Sequence, residues 1–246
     1  MPNDPYLDKS VRWRIATGNL GFQEPGYREV ADAILDAGLA TEVLQRIGSG
    51  KEADVYFCLD GRRRLAVKSY RFYRTSHRGG RPIKLDSMGH QASREYELLV
   101  YAWRNGVRVP EPGRRVENML SMEYLGTPER AAPRMQEVVP SDPARLATET
   151  LEEVERLADA GVVHSDMSPF NILVDRDRPW IIDLAAGVRV DRLGASPWIR
   201  LTEASAALQH GVEALARYFR KHGHEVDVEN FVQTLVTKLD RFGVLT

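Results

Sequence analysis

The run from Val162 to Asp183 constrains the fold of this chain more than any other stretch. Two apolar runs, Ile172 to Val174 and Trp180 to Ile182, flank Asp175-Arg176-Asp177-Arg178-Pro179, a pattern that predicts a hairpin with its turn at the centre. Such a hairpin presents polar residues at its mouth: Asp166 and Asn171 from the preceding loop, and Asp183 from the strand end. Phosphoryl transfer to a hydroxyl needs a carboxylate near the attacking oxygen and hard oxygen ligands for a divalent cation. Asp166, Asn171 and Asp183 are of those types. An Asp-x4-Asn pair alone is commonplace, and three ordinary loop residues would give the same letters. His164 before the pair and Ile181-Ile182-Asp183 beyond it make the set specific.

The whole chain sets wide bounds. Its 246 residues can hold one large domain or two small lobes, each with its own core. A formal net charge of −1 gives no global argument for nucleic acid or an acidic partner. The single cysteine, Cys58, excludes a disulfide framework, reads as a buried thiol, and favours the cytoplasm. No apolar run is long enough to suggest a membrane span, and Met1-Pro2-Asn3-Asp4-Pro5 does not open a signal peptide.

In order along the chain, residues 1 to about 24 read as a polar arm, followed by a helix over Val30, Ala31, Ile34 and Leu35 that ends near Gly38. From Thr41 the pattern turns to strands: Glu42 to Ile47, Asp54 to Leu59 and Arg64 to Ser69, with Asp60-Gly61 as a hairpin turn. Between the first two strands lies Gly48-Ser49-Gly50-Lys51-Glu52-Ala53, whose glycines let backbone amides approach phosphate oxygens. Glu52 stands where a Walker loop requires Ser or Thr, so the loop is either a different phosphate cradle or a plain hairpin connection.

Lys68 follows that loop by one strand, in Leu65-Ala66-Val67-Lys68. A strand lysine is ordinarily solvated, but one downstream of such a loop suits nucleotide phosphates and an ion pair with a helical glutamate. The stretch Arg71 to Ser87 is polar and basic, and reads as a solvated loop or as a segment that contacts phosphate or a partner. A helix then carries Ala92, Tyr96, Leu99, Val100 and Trp103 on one face, with Glu95 beside that stripe as the better partner for Lys68. Arg114 to Val116 and Met119 to Tyr124 predict two more strands. Met122-Glu123-Tyr124-Leu125-Gly126 would leave the sheet as a connector that can meet an adenine edge, although core packing also explains Met122. The remainder is helical: one helix opens at Ser141-Asp142-Pro143 and buries Leu146, Thr150, Leu151, Val154, Leu157 and Ala158, and two more run through Ala204–Phe219 and Val228–Leu239. His222 and His224 fall between these last two, without a metal-ligand set.

Taken together, Ser49-Gly50-Lys51-Glu52-Ala53-Asp54-Val55-Tyr56, Lys68, Met122-Glu123-Tyr124-Leu125-Gly126, His164-Ser165-Asp166, Asn171-Ile172-Leu173 and Ile182-Asp183 resemble the RIO family of atypical serine/threonine protein kinases, in a compact, bacterial-type form. The resemblance implies an α+β, two-lobed protein-kinase-like fold without a full activation segment. It divides the chain into an arm and helix over 1–40, an N-lobe over 41–125 and a C-lobe over 126–246. It implies Asp166 as catalytic base, Asn171 and Asp183 as metal ligands, and Lys68 with Glu95 as the phosphate-positioning pair. Ser49, Gly50, Lys51, Glu52, Val55, Ala66, Met122, Glu123 and Leu125 would line the nucleotide. ATP and Mg²⁺, with Mn²⁺ as an alternative, are the implied cofactors. A protein substrate or the chain itself is the implied acceptor, and a ribonucleoprotein partner is a further expectation. Ser165 stands where ordinary kinases carry an arginine, and no Ala-Pro-Glu follows Asp183, so control by activation-loop phosphorylation is not expected. The helix segment Gln209-His210-Gly211-Val212 departs from the family in lacking an Arg-Asp pair.

Protein kinase activity with autophosphorylation is the leading expectation. An ATPase switch, with an aspartyl phosphate on Asp183, is the alternative of a different class. A small-molecule kinase is a third, weakened by the short second lobe.

Overall fold

A computed structural model of the chain describes residues 26–50, 52–71, 85–192 and 197–242. Lys51, the N-terminal arm and residues 72–84 of the basic stretch lie outside the described residues. The chain divides into two compact units. The first takes the described residues up to Tyr96 together with Gly113–Tyr124, and the second takes Glu97–Pro112 and the described residues from Leu125 onward.

The first unit is built on one five-stranded sheet. Helix α1 (Tyr27–Asp36) precedes β1 (Glu42–Ser49), β2 (Ala53–Asp60) and β3 (Arg63–Tyr70); helix α2 (Leu85–Arg104) intervenes before β4 (Pro112–Val116) and β5 (Met119–Glu123). The strand order is β1-β2-β3-β5-β4. Asp60 pairs with Arg63 across a turn in which Gly61 takes φ +61°, a left-handed value that glycine reaches without a Cβ penalty.

Side chains alternate across a strand, so register assigns the two faces. Val30 and Ile34 of α1, with Leu39 and Ala40, pack on Tyr56, Cys58, Leu65, Val67 and Met119. Val55 pairs with Lys68, Ala66 pairs with both Phe57 and Met122, and Lys68 pairs with Leu120. These residues therefore share the opposite face. Leu35 is exposed rather than packed, because the α1 interface is narrower than its apolar pattern. Trp103 of α2 is likewise exposed; among the described side chains of that helix, Ala92, Glu95, Leu98, Leu99 and Ala102 are buried. The basic stretch ends sooner than its composition predicts, since α2 begins at Leu85.

The second unit holds helices α3 (Pro143–Asp159), α4 (Pro197–Lys221) and α5 (Val228–Asp240), with two short ladders: β6 (Val162–Val163) with β9 (Val188–Arg189), and β7 (Ile172–Asp175) with β8 (Arg178–Ile181). Asp142 caps α3, its carboxylate accepting from the Arg145 amide at 3.0 Å, and Pro143 occupies the first turn where its missing N–H costs nothing. Leu146, Thr150, Val154, Leu157 and Ala158 of α3 are buried, as their spacing predicts, and Leu151 is half-buried. Glu153 is fully buried as well. Its carboxylate accepts from the Arg108 amide at 2.8 Å and pairs with the guanidinium groups of Arg108 and Arg156. The β7–β8 turn is tighter than expected. Arg176 and Asp177 both take positive φ, Asp175 pairs with Arg178, and Pro179 lies within β8. No helix among the described residues is long and apolar enough to cross a membrane.

Candidate active site

In the first unit, the face shared by Val55, Ala66, Lys68 and Met122 carries an ion pair. Lys68 Nζ donates to Glu95 Oε1 at 2.8 Å, and both side chains are largely withdrawn from solvent. The Tyr70 hydroxyl donates to the other oxygen, Glu95 Oε2. Among the described residues of α2, Glu95 is the one buried charge, and these two donors satisfy it. Phe57, on the same face, stacks on Tyr124 with ring centroids 4.1 Å apart.

The turn between β1 and β2 is anchored at both ends. The Gly50 amide donates to the Ala53 carbonyl at 2.9 Å, and the Arg71 amide donates to the Glu52 carbonyl at 2.9 Å. The Arg71 guanidinium donates to Asp54 Oδ1 at 2.8 Å and to Ser49 Oγ at 2.9 Å. Burial pushes the Asp54 carboxyl up, but hydrogen bonds from Arg71 and Ser49 and the Arg71 charge outweigh it and hold the group below the usual carboxylate range. Arg71 thus belongs to this turn, not to a solvated loop.

In the second unit, Asp166 and Asn171 meet. Asn171 Nδ2 donates to the Asp166 main-chain oxygen at 2.7 Å and to its Oδ2 at 3.0 Å, while the Ile182 amide donates to the Asn171 carbonyl at 3.0 Å. His164 ties the same two segments from beneath. Its Nδ1 accepts from the Asp166 amide at 3.2 Å, so Nε2 carries the proton and donates to the Ile182 carbonyl at 3.0 Å. Burial pushes the His164 imidazole below its ordinary value, further than the Ile182 carbonyl and the charges of Asp183 and Asp166 raise it. The ring is therefore neutral at pH 7.

Asp166 and Asp183 are exposed, and Asn171 is buried. Asp183 takes a left-handed backbone conformation, φ 61° and ψ 62°, which aspartate tolerates better than most residues. The next residues form a short 3-10 turn, Leu184–Ala186, and β9 then pairs with β6. On the far side, α4 approaches the loop through Gly211: a Cβ there would lie 2.7 Å from Met167 Cβ.

These donor types fit a hard divalent cation. With its nitrogen spent on Asp166, Asn171 has its amide oxygen left to offer, and Asp183 offers a carboxylate. Among the described residues no three His, Cys, Asp or Glu side chains form a closed metal cluster. Two protein ligands with water and phosphate oxygens are the usual arrangement for Mg²⁺.

The structure thus brings Lys68 together with Glu95, and Asp166 with Asn171. Ser49, Gly50, Glu52, Val55, Ala66, Met122 and Glu123 lie in the first unit, and Leu125, Asp166, Asn171 and Asp183 in the second. Tyr70 and Arg71 are participants that their sequence context does not single out. Tyr70 looks like any strand aromatic, and Arg71 like the first of many basic residues.

Comparison with known proteins gives the family and the fold. The chain is 29% identical over 201 residues to the RIO-type serine/threonine-protein kinase Rio1 of Haloferax volcanii, covering 76% of this chain and 66% of that one. It is 29% identical over 161 residues to Rio1 of Methanocaldococcus jannaschii, covering 60% and 56% respectively. The chain thus spans less than two thirds of the length of these relatives. In three dimensions it is similar to the Rio2 kinase of Chaetomium thermophilum in an ADP/Mg²⁺-phosphoaspartate complex, with TM-score 0.65 and 20% identity, covering 96% of this chain and 79% of that one. That likeness gives the fold: an α+β, two-lobed, kinase-like architecture. The RIO domain family model matches residues 54–231, well over half of the sequence, and the chain belongs to the RIO domain family.

Proposed function

We propose that this chain is an ATP-dependent serine/threonine protein kinase that transfers the γ-phosphoryl group to hydroxyls of a protein substrate or of itself. The observation that carries the reading is the Asp166 carboxylate, exposed to an acceptor yet held by Asn171 on a loop fixed by His164. Asp166 orients the acceptor hydroxyl and takes its proton as the new O–P bond forms. The bond from the γ-phosphorus to the bridging oxygen breaks, and ADP leaves. Asn171 and Asp183 would hold Mg²⁺, with Mn²⁺ as an alternative, and the cation would supply positive charge to offset that on the phosphate. Lys68, oriented by Glu95, binds nucleotide phosphates, and Ser49, Gly50, Lys51 and Glu52 belong to the phosphate turn. Val55, Ala66, Met122, Glu123 and Leu125 serve the adenine side. The relatives named above are serine/threonine-protein kinases, which supports the same reaction.

The test is incubation of the purified protein with γ-labelled ATP and Mg²⁺, followed by mapping of the label. The reading predicts acid-stable phosphoserine or phosphothreonine, lost in Lys68→Ala. Acid-labile label on Asp183, with steady phosphate release and no phosphoserine or phosphothreonine, would overturn transfer to a hydroxyl in favour of an ATPase switch.

A further inference from the structure

Tyr70 holds no place in the reaction described so far, yet it makes the second of the two hydrogen bonds to Glu95. Lys68 and Tyr70 are two apart on β3, so their side chains leave the same face of the strand. Each takes one oxygen of the same carboxylate: Lys68 takes Oε1 and Tyr70 takes Oε2. Tyr70 is itself fixed. Its ring is fully buried, its amide donates to the Asn118 carbonyl at 2.9 Å, and its carbonyl accepts from Asn118 Nδ2. Asn118 sits buried in the β4–β5 turn, so one residue of that turn engages both the N–H and the C=O of Tyr70.

A lysine shared between a carboxylate and phosphate oxygens cannot hold the carboxylate alone, because every donor it turns to phosphate weakens its grip. The tyrosine hydroxyl carries no charge for phosphate to draw away from Glu95 Oε2, and its ring also lies 5.1 Å from the Lys68 ammonium. We propose that Tyr70 is a positioning residue: it pins Glu95, and hence α2, to β3 independently of Lys68, so that the lysine stays aimed when it engages nucleotide phosphates. This rests on Lys68 binding phosphate as proposed above.

The test compares binding of ATP with binding of adenosine, which lacks phosphates, in the full chain. Tyr70→Phe keeps the ring and removes the hydroxyl. ATP affinity should fall about tenfold, the scale of a hydrogen bond to a charged group, while adenosine affinity stays unchanged. In a Lys68→Ala background, Tyr70→Phe should have no further effect on ATP, since there is no lysine left to aim. Replacing Tyr70 by 4-aminophenylalanine, which restores a donor, should recover ATP affinity, and it tests the idea even if Tyr70→Phe folds poorly. Equal losses for ATP and adenosine, an undiminished effect without Lys68, or a folded aminophenylalanine variant that still binds ATP weakly would each overturn the proposal. A Lys68→Ala protein that binds ATP normally would instead defeat the phosphate-binding role of Lys68 itself.

Discussion

Asn171 holds Asp166 twice, through the main-chain oxygen at 2.7 Å and through the carboxylate at 3.0 Å. One amide nitrogen thus fixes both where the Asp166 backbone lies and how its side chain is turned. Asn171→Ala removes both bonds and, with them, the amide oxygen proposed as a cation ligand. Transfer should fall by about 100-fold or more, as when a preorganised polar group is lost. Asn171→Asp places a second carboxylate against the first, and the like charges push one of the pair toward protonation. It should fail at neutral pH despite retaining an oxygen ligand. Rates of phosphoryl transfer for the two variants check this; an active Asn171→Asp protein would show that the Asp166 contact is dispensable.

His164 gives a prediction about pH and stability. Its folded-state value lies below the ordinary 6.5, so between those two values the unfolded chain carries a proton that the folded chain does not. The unfolded state binds more protons there, and stability therefore rises with pH through that window and is lost as pH falls below 6.5. The slope from this one group is at most about 1.4 kcal/mol per pH unit. Denaturant unfolding between pH 5 and 8 should show it, and His164→Gln, which cannot titrate, should flatten the curve by that contribution. Identical slopes in the two proteins would mean that the imidazole titrates alike in both states.

Gly211 illustrates how α4 supports the loop. Alanine is the better helix former by about 1 kcal/mol, so on propensity alone Gly211→Ala should stabilise. The new Cβ would meet Met167 Cβ at 2.7 Å, and that atom is fixed to the loop backbone rather than at a flexible tip. Overpacking of this kind costs about 1–3 kcal/mol, so the clash wins. The expected outcome is a lower Tm with a weakened transfer rate, because Met167 adjoins Asp166. A raised Tm would show that α4 can give way without disturbing the loop.

The alternation of the first sheet is legible in the sequence because register and burial share a period of two. Leu65 and Val67 fall on one face and Ala66 and Lys68 on the other by spacing alone. The meeting of Asp166 with Asn171 is legible too, since the two lie five residues apart in one short loop. Contacts made by long-range packing are not. Nothing near Tyr70 announces that its hydroxyl meets Glu95, 25 residues away. Nothing in the basic run sets Arg71 apart from Arg74 or Arg78. Glu153 reads as a surface carboxylate on α3 until Arg108, 45 residues earlier, closes over it. The exposed Leu35 and Trp103 show the converse: an apolar stripe says which face can be buried, and only the neighbour's width says how much of it is.

Asp166 as the base is the central claim, and nucleotide binding measured beside phosphoryl transfer in Asp166→Ala tests it. The prediction is ATP affinity close to that of the unaltered protein, a native melting profile, and transfer reduced by about a thousandfold, the scale of general base catalysis. Transfer at an undiminished rate in a folded, ATP-binding Asp166→Ala protein would contradict it.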